Sequence, residues 1–287
     1  MSSKTEKMNE DWSIVIKPKT GLFEVNIAEL VKYRDLIFLF VKRSFSAQYK
    51  QTILGPLWFL INPLLTTVMF TLIFGNIAGF ATDGVPQFAF YLCSTAIWQY
   101  FSTCLTETSN TFTNNKNIFG KVYFPRLTMP IATVLFSLIN FAVVFAAAIV
   151  TIIVYMIQGE MITLSYRLLL VPVLVIQTAL LGLGVGIIIS SMTTKYRDLK
   201  VLVSFGVQLW MYGTPVVYTP AQLPESLRAI VMLNPVSPIV VNFRYAMMGC
   251  GTLETLYWGI SMVTTIVLLV IGVLIFNKVE KNFMDTV

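Results

Sequence analysis

The sequence predicts an all-α integral membrane protein: six transmembrane helices, an N-terminal amphipathic interface helix, and a re-entrant outer hairpin between spans five and six. Three observations predict it. Of the 287 residues, 56% are apolar and only 12% are charged, against roughly 25% charged in an ordinary soluble domain. Six apolar runs each approach the ~20 residues that a span requires. Lysine and arginine then crowd into alternate loops, as the positive-inside rule expects of a multi-pass protein.

The first element is a polar lead-in, residues 1–24, in which nothing resembles a cleavable signal peptide, so none is expected. Residues 25–53 interleave Ile27, Leu30, Val31, Ile37, Val41 and Phe45 with Glu29, Lys32, Arg34, Asp35, Lys42, Arg43 and Lys50. This spacing fits an amphipathic helix lying in the cytoplasmic interface, its cations near anionic headgroups. The alternative is a soluble helix packed on a partner, which the greasy stretch Leu36 to Val41 disfavours.

The spans follow at 54–75, 86–107, 130–156, 168–192, 199–218 and 256–277, within a single domain over 54–277, and residues 278–287 form a tail. Their only charges, Glu107 and Lys200, stand at span ends. Gly182, Gly184, Gly186 and Ser190 give the fourth span a small-residue face of the GxxxG type, which more often serves packing within a chain than a dimer contact. Residues 219–255 are too long and too apolar for an ordinary outer loop. Leu227–Leu233 and Ile239–Met248 are each too short to span, and prolines 235 and 238 break the helix between them. Two short helices dipping into the outer leaflet fit that pattern, with a compact outer cap as the alternative.

Seventeen of the 20 lysines and arginines fall on the side that holds both termini, and Arg167, Arg228 and Arg244 fall on the other. Both termini are therefore expected in the cytoplasm. The net charge of +6 belongs to loops flanking spans on one membrane face, which removes nucleic acid as its explanation.

The chemistry absent from the chain is equally directive. There is no histidine, and Cys93, Cys104 and Cys250 stand singly. No catalytic residue and no metal ligand set is expected. No GxxxxGK[ST] phosphate loop is present, so the chain is not expected to hydrolyse ATP itself. No span carries a central charge of the kind that proton- or sodium-coupled carriers use as a relay. Several spans instead carry polar and aromatic stripes: Phe59, Asn62, Thr66 and Phe70 in the first; Ser94, Trp98 and Ser102 in the second; Ser204, Gln208 and Tyr212 in the fifth. Rings beside hydroxyls and amides suit a sugar polymer, stacking its faces while exchanging its hydrogen bonds. Interhelical bonding and interfacial aromatic belts are the other explanation.

The stretches Tyr33-Arg34-Asp35-Leu36, Tyr49-Lys50-Gln51-Thr52-Ile53-Leu54-Gly55-Pro56-Leu57-Trp58 and Asn62-Pro63-Leu64 resemble the approach to the first span in ATP-binding-cassette polysaccharide-export permeases. The likeness continues through Asn117 to Arg126, Tyr196-Arg197-Asp198, Thr214 to Tyr218 and Asn234-Pro235, in order along nearly the whole chain. It implies a six-helix half-transporter that pairs with a second copy and sits on a separate ATPase, where ATP and Mg²⁺ bind. Asn117, Lys121, Arg126, Tyr196, Arg197 and Asp198 would couple to that ATPase. Lys42, Arg43 and Lys50 would meet the pyrophosphate of an undecaprenyl-linked glycan, and Pro215, Asn234, Pro235 and Arg244 would form an outer gate. The lead-in, Ile16-Lys17-Pro18 to Gly21-Leu22-Phe23, is most similar to the O-antigen branch. Capsule and teichoic acid export remain open within the family. Outside it stand an ATP-independent carrier or channel and a scaffold for glycan synthesis.

Overall fold

The computed structural model describes residues 27–49, 55, 57–115, 118, 124–160, 162, 165–193 and 198–283. These residues form helices joined by turns, with no strand among them. Hydrocarbon supplies no partner for backbone N–H and C=O groups, so a chain this apolar closes them within helices. In order, α1 is Ile27–Lys32, α2 Arg34–Tyr49, α3 Leu57–Phe70, α4 Gln87–Ser109, α5 Thr111–Asn114, α6 Thr128–Ile157, α7 Leu170–Thr193, α8 Leu199–Tyr212, α9 Glu225–Leu233, α10 Val236–Met248 and α11 Thr255–Phe283.

Each of the six apolar runs holds one of the longer helices: α3, α4, α6, α7, α8 or α11. Four stretches are long and apolar enough to cross a membrane: Leu57–Ile77, Thr128–Ile157, Tyr166–Thr193 and Thr255–Lys278. The first joins α3 to a π-helical turn, Thr71–Ile77. α4 has the length, with 23 residues, about 35 Å at 1.5 Å per residue. Its serines, threonines and glutamines lower its hydropathy below that of the other four. α8 has only 14 residues, about 21 Å, and stops at Tyr212 where the sequence suggests an apolar run to 218. Pro215 lacks an N–H and disfavours helical backbone at Thr214, so the helix closes at Gly213.

α9 and α10 meet at 96°, bent across Asn234-Pro235. α10 ends where Gly249 takes φ 74° and donates its N–H to Tyr245 O at 2.9 Å, a left-handed cap that a Cβ would strain.

α4 is the hub. It packs against α3, α6, α7, α8 and α10, and between Ala89 and Phe101 only Gln99 is exposed. The glycine face of α7 divides between two neighbours. A Cβ on Gly182 would stand 2.7 Å from Cys104 Cβ, and one on Gly186 2.6 Å from Thr108 Cβ, both on α4. A Cβ on Gly184 would stand 2.9 Å from the Leu269 backbone of α11, where Gly272 faces it in turn. α7 is thus clamped between α4 and α11 at backbone contact, which small residues permit.

α1 and α2 cover part of the expected interface helix and break at Tyr33. Phe40 is buried against Phe124, ring centroids 5.5 Å apart, with Met129 and Ala132 of α6 beside them. The apolar face of α2 therefore packs on the chain's own third long helix, while Phe38 and Leu39 remain exposed.

Gly186→Val and Gly184→Val are expected to cost about 2–3 kcal/mol each by overpacking, read as a lower melting temperature of the detergent-solubilised protein. Gly206→Ala, inside α8, meets nothing within 4 Å and is expected to keep the melting temperature or raise it slightly.

Candidate functional site

The stripes read from the sequence fall on two sides of α4. On one side a groove of about 570 Å³ runs between α4 and α8. Trp98, Ser102 and Thr106 line it from α4 at helical spacing, opposite Ser204, Phe205 and Gln208 of α8. Four residues of the expected stripes, Trp98, Ser102, Ser204 and Gln208, are thus brought together. Thr106 continues the i, i+4 run of Trp98 and Ser102, so its place was legible in the spacing. Phe205 carried no such signal. Ser204 Oγ donates to Val201 O at 2.9 Å. Tyr212, one turn beyond Gln208, is exposed, and its carbonyl accepts from Tyr218 Oη at 3.3 Å.

Phe59 and Asn62 lie elsewhere, in a crevice of about 170 Å³ between α3, α4 and α6, with Gln99 and Asn140. Thr66 is exposed and donates to Asn62 O at 3.0 Å. Phe70 packs edge-on against Phe74 and Tyr91 and lines neither cavity. Ser94 leaves its stripe altogether, because its hydroxyl serves Arg244.

Lys42 and Arg43 are exposed on α2. Arg43 borders a polar cavity of about 180 Å³ with Ser44, Asn115 and Thr133, and Lys42 does not line it. Arg126 is buried and Asp198 is exposed at the start of α8 without capping it. Lys50, Asn117, Lys121, Tyr196 and Arg197 lie outside the described residues.

The four residues expected at the outer end do converge. Arg244 is 2% exposed; its Nη1 donates to Pro215 O at 2.6 Å and to Ser94 Oγ at 3.1 Å, and its guanidinium lies 4.2 Å from the centroid of the Phe90 ring. No carboxylate pairs with it among the described residues. Its charge is held by a carbonyl, a hydroxyl and a ring face. Asn234 ties the bend to α8: Trp210 Nε1 donates to its Oδ1 at 2.9 Å, and its Nδ2 donates to Thr214 Oγ1 at 2.9 Å and Gly213 O at 3.3 Å. Pro235 O accepts from Ser261 Oγ at 2.5 Å. Gln177 completes the chain, donating to Ser261 Oγ at 2.8 Å and accepting from Trp258 Nε1 at 2.8 Å. Trp210, Gln177, Trp258 and Ser261 had no local signal, since their partners lie 24 to 84 positions away in the sequence.

Bilayer-length apolar helices, with uncharged polar grooves between them and a bent helix pair fastened across their ends, define a multi-pass membrane protein. The chain belongs to the ABC-2 type transporter family, whose model matches residues 35–248. Members are transport subunits without their own catalytic chemistry, and the family implies an ATP-binding partner subunit. Among its relatives, an O-antigen export system permease protein RfbA of Klebsiella pneumoniae is 30% identical over 252 residues, covering 88% of this chain and 94% of the relative. A second from the same organism is 29% identical over the same span, with the same coverage. The RfbA of Myxococcus xanthus is 28% identical over 221 residues, covering 76% and 82%.

Arg244→Ala removes two charged hydrogen bonds and leaves a void, at an expected cost of about 3 kcal/mol. The half-exposed pair Arg228–Glu254, 2.9 Å apart, is worth about 1 kcal/mol or less. Thermal unfolding of Arg244→Ala beside Arg228→Ala should therefore show much the larger drop for the former.

Proposed function

We propose that this chain is the membrane-spanning subunit of an ATP-driven exporter of lipid-linked polysaccharide, with O-antigen as the cargo. The observation that carries the reading is the groove between α4 and α8, long and uncharged, with Trp98 and Phe205 beside Ser204, Thr106 and Gln208. Ring faces stack on sugar rings, and hydroxyls and amides both donate and accept, so successive residues of a neutral glycan can slide past. The names of the relatives, O-antigen export permeases, support the same cargo.

On this reading α3, α4, α6, α7, α8 and α11 are six spans in the inner membrane with both termini cytoplasmic, and α9–α10 is a re-entrant outer hairpin. α3 and α8 expose polar Asn62, Thr66, Ser204 and Gln208 among Leu65, Met69, Leu202 and Leu209. Such mixed faces suit a water-filled channel between two copies better than lipid alone. ATP and Mg²⁺ act on a separate ATPase, which engages the segments around Asn117, Lys121, Arg126 and Tyr196-Arg197-Asp198. The undecaprenyl pyrophosphate approaches the cations of α2, with Arg43 above its polar cavity as the first contact.

Gln208→Leu and Trp98→Ala are each expected to lower export about tenfold, the equivalent of one lost hydrogen bond or stacking contact. The measurement is O-antigen at the cell surface in a strain whose chromosomal copy is deleted. Unchanged surface glycan in both variants, at normal protein levels, removes the groove as the path.

ATP hydrolysis is expected only when the chain is co-purified with an ATP-binding subunit, and it should fall when Asp198 is changed to alanine. If the chain alone dissipates an ion gradient and no ATPase co-purifies, a secondary carrier is the better description.

A further inference from the structure

The crevice between α3, α4 and α6 is set apart from the groove by α4 itself. It presents three carboxamides, Asn62, Gln99 and Asn140, beside the rings of Trp58, Phe59 and Phe141. Gln99 is the one exposed side chain between Ala89 and Phe101. It lies about 18 Å from one end of α4 and about 15 Å from the other, so it sits at the middle of a bilayer-length helix. The side-chain amides of Asn62 and Gln99 make no hydrogen bond among the described residues. An amide at that depth without a partner is strongly disfavoured in hydrocarbon, so the crevice favours a polar occupant over lipid chains.

The lining narrows the chemistry of that occupant. No Asp, Glu, Lys or Arg lines the crevice, which leaves phosphate and ammonium groups without a counter-charge. Water alone would satisfy the amides but gains nothing from aromatic walls. A sugar ring uses both features: its hydroxyls donate to and accept from carboxamides, and its C–H faces lie on aromatic rings. At about 170 Å³, against about 570 Å³ for the groove, the space suits one ring and not a running chain. We propose that this crevice is a second sugar site, which takes a single neutral pyranose ring carried on a membrane lipid. The proposal rests on the export reading only for the natural source of that sugar.

The test uses the full chain, co-purified with its ATPase and reconstituted in phosphatidylcholine nanodiscs. Thr103→Cys places a thiol in the crevice while Cys93, Cys104 and Cys250 remain buried. Alkylation by N-ethylmaleimide is followed with and without glucosyl diacylglycerol in the bilayer, and again with glucose on an isoprenyl phosphate. Either glycolipid is expected to slow alkylation at least about fivefold, and Asn62→Leu with Gln99→Leu should abolish the slowing. Gln99→Leu alone serves if the double variant is not recovered. Ile266→Cys, on the exposed face of α11, should react equally in all membranes. Slowing by the isoprenyl carrier alone assigns the site to the exported lipid, and slowing by both assigns it to the ring itself. Equal rates with and without glycolipid, no alkylation in any membrane, or slowing that survives the leucine variants overturns the proposal. Because alkylation needs no transport, a chain that exports glycan but shows no protection loses this site alone, and one that is protected but does not export loses only the export reading.

Discussion

A polar group inside a bilayer-length helix finds no partner in hydrocarbon, and much of the arrangement of this molecule follows from that constraint. The simplest solution is local. Ser94, Thr95, Thr178, Ser191 and Thr265 each donate to the carbonyl four residues earlier, at 2.7 to 3.0 Å. Longer side chains solve it by bridging helices, as Gln177 does between Trp258 and Ser261. Against this background the amides that remain unpartnered among the described residues stand out. Asn62, Gln99 and Gln208 are three of them, and each opens into one of the two cavities flanking α4. The cavities are therefore where the chain leaves these three amides for something else to satisfy.

α4 can afford its serines and threonines because neighbouring helices, not lipid, surround most of it. The close approach of Gly182 and Gly186 brings α7 against one side, and α6 and α10 close others. What they leave less covered is the Ser102–Thr106 edge toward α8, beside buried Trp98, and the Gln99 edge toward α3. Those two outer helices are thinly packed: Pro63 and Thr67 are the buried residues of α3, and Val207 that of α8. A rigid central helix with loosely held helices on both flanks places adjustable walls beside fixed polar floors, which suits a path that must admit a bulky solute and then close.

Much of this was legible in the sequence because hydropathy and breaker residues are local signals. The long apolar helices fall in the expected runs, and Pro235 lies at the bend, where a proline's missing N–H forbids continuation. The glycine face of α7 was legible as a packing surface, but not that Gly184 turns to α11 while Gly182 and Gly186 turn to α4. The lining was read as one set from residue type, whereas helix direction divides it between two cavities. Ser94 illustrates the limit best. Its spacing with Trp98 and Ser102 marks a common helix face, yet its partner, Arg244, lies 150 positions on. Only tertiary packing makes that pair, and no periodicity encodes it.

The same polar bonds fix which parts can move together. Asn234 fastens the α9–α10 bend to the end of α8 through Trp210, Gly213 and Thr214, while Ser261 holds the adjoining Pro235 carbonyl to α11. Arg244 pins Pro215, just beyond α8, to Ser94 on the rigid α4. One end of α8 is therefore tied at three places, and its body has a single buried side chain. Its other end begins at exposed Asp198. A helix tied at one end and lightly packed elsewhere, with Val207 its one buried side chain, can respond to a push at the far end by tilting about the tied end. Tilting α8 widens or narrows the groove it shares with α4 while the bonds around Asn234 and Arg244 stay intact. Independent opening of the bent pair would instead break the charged and amide hydrogen bonds around Arg244 and Asn234. Rotation of α8 about this anchored end would thus cost less, because it changes the width of the groove between α4 and α8 without breaking those bonds.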